Sequence, residues 1–351
     1  MNGVFLDWAA TSPIVRFPID TSKQWCNPNA AYAYEERRVL MDCEERIKAA
    51  IGAKDGHVLY FRCATDAIEW LYKVTSGAID PFNDLWGHSP YAHDCCLLGH
   101  ECMPYDKCHM NLYCHQLVNH ITGEVFNPAE IRAQLDDARE TLAIPYFICD
   151  CTAAFGKIGL DDVCKYADAI FMSGHKIGCP DIAFMWIDDR MFNRLGGIKD
   201  VRNQWGLKHG SISVGRVLAL ADAVEWACDE FAIDMREQRF FDLFQRLNFA
   251  LSDAGIEHKW VHDGVCAINA IWLNGLNADA LQQYCASKGV YIGVGGSACN
   301  AAGDFRVLNA YGLTNAEAAE VIRASFGDET TKDDIDKLVS VIKEYKERFV
   351  V

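Results

Sequence analysis

The sequence predicts an α/β protein, with a larger domain built on a mostly parallel sheet between helices and a smaller α+β domain on its C-terminal side. Three observations carry that reading. Short apolar runs such as HVLYF, PYFICD, DAIFMS and IAFMWI alternate with helix-period segments as far as about residue 228, the pattern of right-handed crossovers onto a parallel sheet. Beyond that point a long helical stretch leads into two apolar strands and two capped helices, a different layout. The chain has 351 residues, half of them hydrophobic, which is enough for a sizeable core in two domains. The predicted division gives residues 14–228 to the larger domain and residues 1–13 with 229–351 to the smaller one.

The elements follow in order. From about residue 35, EERRVLMDCEERIKAAIG has the apolar spacing of an amphipathic helix and is closed by Gly52. HVLYF reads as a strand and DAIEWLYKV as the next helix. PYFICD is a short apolar strand ending at Asp150; a helix near LDDVCKYA and the strand DAIFMS come after it, and IAFMWI is a third strand. A long helix to about Leu251 precedes the strands in AINAIWLNG and VYIGV. TNAEAAEVIRASFG and TKDDIDKLVSVIKEYKERF read as helices, opened by the capping pairs Thr314 with Glu317 and Thr331 with Asp334. This reading sets Arg323 near the end of a helix.

Charge and cysteine usage narrow the function. A net charge of −16 argues against nucleic acid or an anionic membrane surface as the main partner. The start, MNGVFLDWAATSP, has no basic segment followed by a long apolar one, and no run reaches the length of a membrane span, so the expected location is cytoplasmic. Many of the sixteen cysteines sit inside apolar runs, as in YFICDC, and read as reduced, buried thiols. Residues 95–120 gather Cys95, Cys96, Cys102, Cys108 and Cys114 with His100, His109, His115 and His120. The spacing is not that of two Cys-x-x-Cys knuckles, and no metal is expected there.

The stretch FMSGHKIGCP, residues 171–180, concentrates the chemistry. Lys176 stands at the mouth of a buried strand, where a lysine contributes little to packing. Asp150 ends the preceding strand, and in a parallel sheet the two carboxyl ends share the edge at which ligands bind. Two readings stay open for this pair: an ion pair, or the lysine of a pyridoxal phosphate enzyme with the aspartate keeping the pyridine nitrogen protonated. The second needs a phosphate site. Ala64-Thr65, at a strand end that opens a helix, supplies backbone N–H groups and a hydroxyl, and Ser173 and His175 flank the lysine.

The order of the motifs resembles the cysteine desulfurase family, the NifS/IscS-type enzymes of pyridoxal phosphate fold type I in the class V aminotransferase superfamily. The resemblance runs nearly end to end through VFLDWAATSP, NPNAAYAYEE, RCATDA, VNHITGEV, DCTAAFGK, SGHK, GLKHGS, GSAC, RVLNAYG and IRASFG. It implies a large domain with a sheet of the seven-stranded type and a smaller α+β domain carrying a mobile cysteine loop. It implies pyridoxal 5'-phosphate as cofactor, L-cysteine as substrate, a homodimer and a sulfur-acceptor protein, with iron–sulfur clusters or thiolated nucleotides as destinations. Lys176 matches the lysine that bonds the cofactor and moves the substrate proton, and Asp150 matches its pyridine partner. Thr65 with Ala64, Ser173 and His175 match the phosphate contacts, and Ser211 matches a residue reaching the phosphate of the neighbouring subunit. His93, 28 residues beyond Thr65, matches the histidine stacked on the ring. Arg323, Asn119 and Asn27 fall on the substrate side, Arg323 as the holder of the carboxylate.

Cys299, in VGGSACNAAGDF, matches the nucleophile that takes the sulfur as a persulfide; a loop of small residues suits a thiol that must move. Some positions depart from the family pattern. Ala153 stands where a glutamine donates to the phenolic oxygen of the cofactor, a loss of roughly 1–3 kcal/mol if nothing replaces it. His120, or Asn119 with a register slip of one, takes the place of an asparagine. Lys208 replaces an arginine, and the segment between His93 and Asn119 is shorter. Two other readings remain at this stage: a related enzyme such as a selenocysteine lyase or β-lyase, and a non-catalytic binding or regulatory subunit.

Overall fold

The computed structural model describes residues 3–75, 112–137, 146–160, 162–295 and 305–349. In chain order the described elements begin with β1 (Val4–Leu6), α1 (Tyr34–Ala50), β2 (His57–Phe61), α2 (Ala64–Val74), β3 (Leu112–Gln116), α3 (Pro128–Asp137) and β4 (Tyr146–Asp150). They continue with α4 (Val163–Tyr166), β5 (Ala169–Ser173), a 3-10 turn (Gly174–Ile177), β6 (Ala183–Ile187), α5 (Asp189–Arg194), α6 (Val214–Ala227) and α7 (Glu230–Asp253). The last group is β7 (His258–Trp260), β8 (Ile268–Leu273), α8 (Ala278–Ser287), β9 (Val290–Val294), α9 (Arg306–Ala310), α10 (Asn315–Ala318), β10 (Val321–Ser325) and α11 (Lys332–Phe349). The chain divides into two compact units, residues 14–117 with 126–232, and residues 1–13 with 118–125 and 233–351.

The unit of residues 14–117 and 126–232 is built on a sheet of order β2-β6-β5-β4-β3. β3, β4 and β5 are parallel, β6 is antiparallel to both β5 and β2, and so β2 runs in the same direction as β3, β4 and β5. The reversal of β6 makes the sheet mostly, not wholly, parallel, as the sequence reading has it. Its cause is the short connection: β5 leaves through one 3-10 turn, too little chain for a crossover helix, and returns beside itself. The described residues give five strands of this sheet.

Period-two alternation sorts its faces. Leu59, Phe61, Leu112, Cys114, Ile148, Ala169, Phe171, Ala183, Met185 and Ile187 form one buried core with Ala64, Ala67, Ile68 and Leu71 of α2. α2 therefore covers this face because its apolar residues recur at helical spacing. On the other side of the sheet Phe184 meets Phe155 edge to face at 5.9 Å.

The turn that follows β5 is held by close approaches. An added Cβ on Gly174 would lie 2.4 Å from the Cys179 carbonyl oxygen. Gly178 has a φ of +82° and faces Arg16 and the Ile14 carbonyl, with a would-be Cβ 2.8 and 2.9 Å away.

The other unit carries a sheet of order β1-β9-β10-β8-β7. β1 is parallel to β9, and β10 is antiparallel to β9 and β8. The two capping pairs form as the sequence suggests: Thr314 with Glu317 is a reciprocal box, and Thr331 accepts from the Asp334 N–H at 3.2 Å while Asp334 accepts from Thr331. The helix opened by Thr314 nevertheless ends at Ala318, and VIRAS is a strand, not the helix that the sequence reading assigned. All five residues of β10 are buried between neighbours on both edges, an environment that β-branched Val321 and Ile322 suit and that a solvent-facing helix does not offer.

One substitution tests the turn after β5. Gly178→Ala forces a left-handed non-glycine residue and a contact with Arg16, and is expected to lower stability by roughly 2 kcal/mol or more, read from the urea midpoint. An unchanged midpoint would show that the turn is free to relax.

Candidate active site

The strand register sets the site geometry in the sheet of residues 14–117 and 126–232. Gln116 is aligned with Asp150, Asp150 with Phe171, and Phe61 and Ser173 both with Ala183. The segments leaving β2, β3, β4 and β5 therefore emerge along one sheet edge. Asp150 lies two residues past Ile148, and Ser173 two past Phe171, so both share the face covered by α2. Asp150 is 3 % exposed, and its Oδ1 accepts the Thr152 N–H at 2.8 Å. Lys176 and His175 are half-buried in the 3-10 turn immediately past β5.

The start of α2 lies on the same edge. Its N-cap, Cys63, is extended and its side chain caps none of the first-turn N–H groups, among them those of Ala64 and Thr65. Ala64 is buried and Thr65 half-buried. These residues fit pyridoxal phosphate: a buried carboxylate for a protonated ring nitrogen, a lysine one turn past the neighbouring strand, and an uncapped helix start with Ser173 and His175 for the phosphate. The Thr152 hydroxyl, buried and without a hydrogen-bond partner among the described residues, is a further polar group two residues from Asp150.

Ser211 is exposed, at the end of a loop with unusual backbone. Asn203, Gln204 and Trp205 all have positive φ, of 51°, 48° and 60°. Three consecutive left-handed non-glycine residues cost about 1 kcal/mol or more each and persist only when their surroundings fix them. Gln204 Oε1 accepts the Tyr60 N–H at 2.7 Å, Trp205 Nε1 donates to buried Glu44 at 3.1 Å, and Asn29 Oδ1 accepts the Asn203 N–H at 2.9 Å. Asn27 is exposed, and its Oδ1 accepts the Asn29 N–H at 3.0 Å, which shapes this anchor.

The unit of residues 1–13, 118–125 and 233–351 holds a second set. Arg323 is fully buried on β10. Its Nη2 pairs with Asp7 Oδ1 at 2.6 Å, its Nη1 donates to the His120 carbonyl at 2.9 Å, and its buried Nε has no hydrogen-bond partner among the described residues. Gly293 makes room for this group, since an added Cβ there would lie 3.0 Å from Arg323 Nε and 2.9 Å from Asp7 Oδ1. Asn119 is also fully buried; its Oδ1 accepts the N–H groups of Ile121 at 2.9 Å and Thr122 at 3.1 Å, and its Nδ2 has no partner among the described residues. His120 is half-buried in the same turn.

His93 and Cys299 lie outside the described residues, as does most of the cysteine- and histidine-rich stretch. Among the described residues no group of three or more metal-ligating side chains occurs. Cys149 and Cys151 flank Asp150 with their sulfurs 3.8 Å apart, and burial holds the Cys151 thiol well above the ordinary thiol range, so it stays protonated and inert. Two site residues escaped the sequence reading. Asp7 lies inside the motif VFLDWAATSP, but its partner is 316 residues away. Thr152 lies in DCTAAFGK, where only Asp150 had drawn attention.

Asp7 supplies the test of the Arg323 arrangement. Asp7→Ala would leave a buried guanidinium without its counter-charge and is expected to cost roughly 3 kcal/mol in denaturant unfolding, with Asp7→Asn costing less because an acceptor oxygen remains. A loss below about 1 kcal/mol for Asp7→Ala would show that the pair contributes no more than a surface one.

Comparison with known proteins identifies the family. The family model described as aminotransferase class-V matches residues 108–338. The cysteine desulfurase IscS of Actinobacillus succinogenes is 27 % identical over 234 residues, covering 64 % of this chain and 56 % of that protein, and the IscS of Mannheimia succiniciproducens is 25 % identical over 235 residues. The chain thus spans little more than half the length of these curated relatives. Among solved structures, a NifS-like protein superposes with a TM-score of 0.80 at 17 % identity, covering 98 % of this chain and 99 % of that one. The NifS-like protein of Rickettsia africae gives 0.77 at 16 % identity, covering 99 % and 100 % of the two chains. The apo cysteine desulfurase of Thermococcus onnurineus gives 0.73 at 15 % identity, covering 98 % of this chain and 95 % of that one. Two-thirds of the chain matching one family model, on a fold of the pyridoxal phosphate-dependent class V type, settles the assignment: the chain belongs to the aminotransferase class-V family.

Proposed function

We propose that this protein is a pyridoxal phosphate-dependent cysteine desulfurase, which removes sulfur from L-cysteine, releases L-alanine and keeps the sulfur as a persulfide on Cys299 for an acceptor. The observation that carries the reading is the single sheet edge on which Asp150, Lys176 and the uncapped start of α2 stand together. The relatives named cysteine desulfurase support the choice of chemistry among class V enzymes.

When bound, the cofactor supplies an electron sink for the substrate's α-carbon. Asp150 would keep a proton on its ring nitrogen, Ala64, Thr65, Ser173 and His175 would hold its phosphate, and His93 and His120 would be its further contacts. Lys176 bonds the cofactor and carries the α-proton. Arg323, Asn119 and Asn27 would receive the substrate; Asp7 takes Arg323 Nη2 and the His120 carbonyl takes Nη1, which leaves Nε for a carboxylate.

The Cys299 thiolate attacks the substrate sulfur; an S–S bond forms as the C–S bond breaks, and the electron pair of that bond stays with carbon, which takes a proton and leaves as alanine. Ser211, exposed at the end of the anchored 203–211 loop, contacts the phosphate in the partner subunit of a two-fold homodimer. The acceptor is a scaffold for iron–sulfur clusters or an enzyme of nucleotide thiolation, and the setting is the cytoplasm, whose reducing thiols release persulfide sulfur.

Purified protein supplied with pyridoxal phosphate and L-cysteine is expected to form alanine and, with dithiothreitol, an equal amount of sulfide. Cys299→Ser, which offers a poor nucleophile of nearly the same size, is expected to lower both by at least about a hundredfold while cofactor binding persists. Wild-type rates from Cys299→Ser, or pyruvate and ammonia in place of alanine, would replace this reading with a β-lyase.

A further inference from the structure

Three side chains outside the roles above, Thr122, Tyr311 and Glu124, form a continuous hydrogen-bonded chain beside the Asn119–Gly123 turn, and His262 lies against it. Thr122 Oγ1 donates to Tyr311 Oη at 2.9 Å, and Tyr311 Oη donates to Glu124 Oε2. His262 Nε2 lies 3.6 Å from Glu124 Oε1, and the His262 ring meets Tyr311 edge-on at 5.6 Å. Burial and the adjacent Glu124 push the Tyr311 phenol far above its ordinary range, so it remains a donor at any physiological pH. Tyr311 immediately follows α9, whose Leu308 is fully buried in a core with Ile121 of the turn. The same residues thus tie the turn down by packing and by hydrogen bonds.

What the turn carries gives this chain a purpose. Asn119 closes it through its N–H to the Glu124 carbonyl at 2.8 Å and its Oδ1 to Ile121 and Thr122, and the His120 carbonyl holds Arg323. The turn therefore fixes two buried donors that lack acceptors among the described residues, Asn119 Nδ2 and Arg323 Nε. Buried donors left unsatisfied are costly and are kept where a ligand supplies the acceptor. A carboxylate presents two acceptor oxygens.

We infer that Tyr311 and Glu124 are positioning residues that, by gripping Thr122, hold the Asn119–Gly123 turn so that Asn119 Nδ2 and Arg323 Nε are set for the carboxylate of an amino-acid substrate. The inference rests on the reading above that Asn119 and Arg323 face the substrate, and it adds the device that fixes them. Tyr311→Phe keeps the ring, its packing and its edge contact with His262, but leaves Thr122 without its acceptor and Glu124 without its donor. Glu124→Gln keeps an acceptor oxygen for Tyr311.

The test uses the full chain loaded with pyridoxal phosphate. L-Alanine, which has the carboxylate and amine but no sulfur, is titrated by calorimetry against ethylamine, which lacks the carboxylate, and steady-state kinetics are measured with L-cysteine. Tyr311→Phe is expected to weaken L-alanine binding and raise KM for L-cysteine by about tenfold, with kcat changed by less than about twofold and ethylamine binding unchanged. Glu124→Gln is expected to recover most of the affinity. A lower melting temperature with unaltered L-alanine affinity would make the cluster merely structural and overturn the inference, as would a wild-type protein that does not bind L-alanine. L-Alanine binding without sulfide release would instead reject the desulfurase reading and leave this inference standing.

Discussion

The Cys151 N–H donates to the Phe171 carbonyl at 3.0 Å, and that bond extends the parallel ladder between β4 and β5 one residue past the end of β4. It fixes where two chain segments leave the sheet, and so fixes Asp150 and Lys176 on one edge. A one-residue slip would send Asp150 to the opposite face, away from α2. The register is secured by packing: Ile148, Ala169 and Phe171 are fully buried in the core that α2 covers, and a one-residue slip would turn them away from it. The antiparallel return of β6 helps, since its first residue pairs with Ser173 and closes the turn that contains Lys176.

Arg323 plays a comparable part among residues 1–13, 118–125 and 233–351. A fully buried guanidinium is costly without a partner, and here Asp7 and the His120 carbonyl meet two of its nitrogens. Ser325, at the other end of the same strand, accepts the Ala9 N–H at 2.8 Å, so the N-terminal segment is pinned to β10 twice. Both contacts join residues more than 300 positions apart, and both converge on a strand whose side chains are wholly enclosed. Burial and specificity reinforce each other: the arginine needs its partners, and by taking them it orders the segment that carries Asp7.

Much of this was legible in the chain because it is local. Gly52 with φ +69° follows α1 as a helix-closing glycine should, and the Thr314 and Thr331 caps form because each needs only a residue three positions on. The strand ends at Asp150 and Ser173 followed from apolar runs stopping at polar residues. The failures concern non-local context. VIRAS continues the apolar spacing of the helix before it, and only its position between β8 and β9 makes it a strand. Asp7, Thr152 and Tyr311 show nothing in sequence, because an ion pair across 316 residues, an orphaned hydroxyl and a phenol on a distant carboxylate exist only after folding.

The account stands or falls on Lys176 as the residue that bonds the cofactor. The most direct measurement is to load the protein with pyridoxal phosphate, reduce it with borohydride, digest it and locate the added mass by peptide sequencing. The account predicts a single labelled site, Lys176, with Lys176→Ala taking up no label and losing the yellow colour of the loaded protein. Label spread over surface lysines, or full colour and labelling in Lys176→Ala, would contradict it.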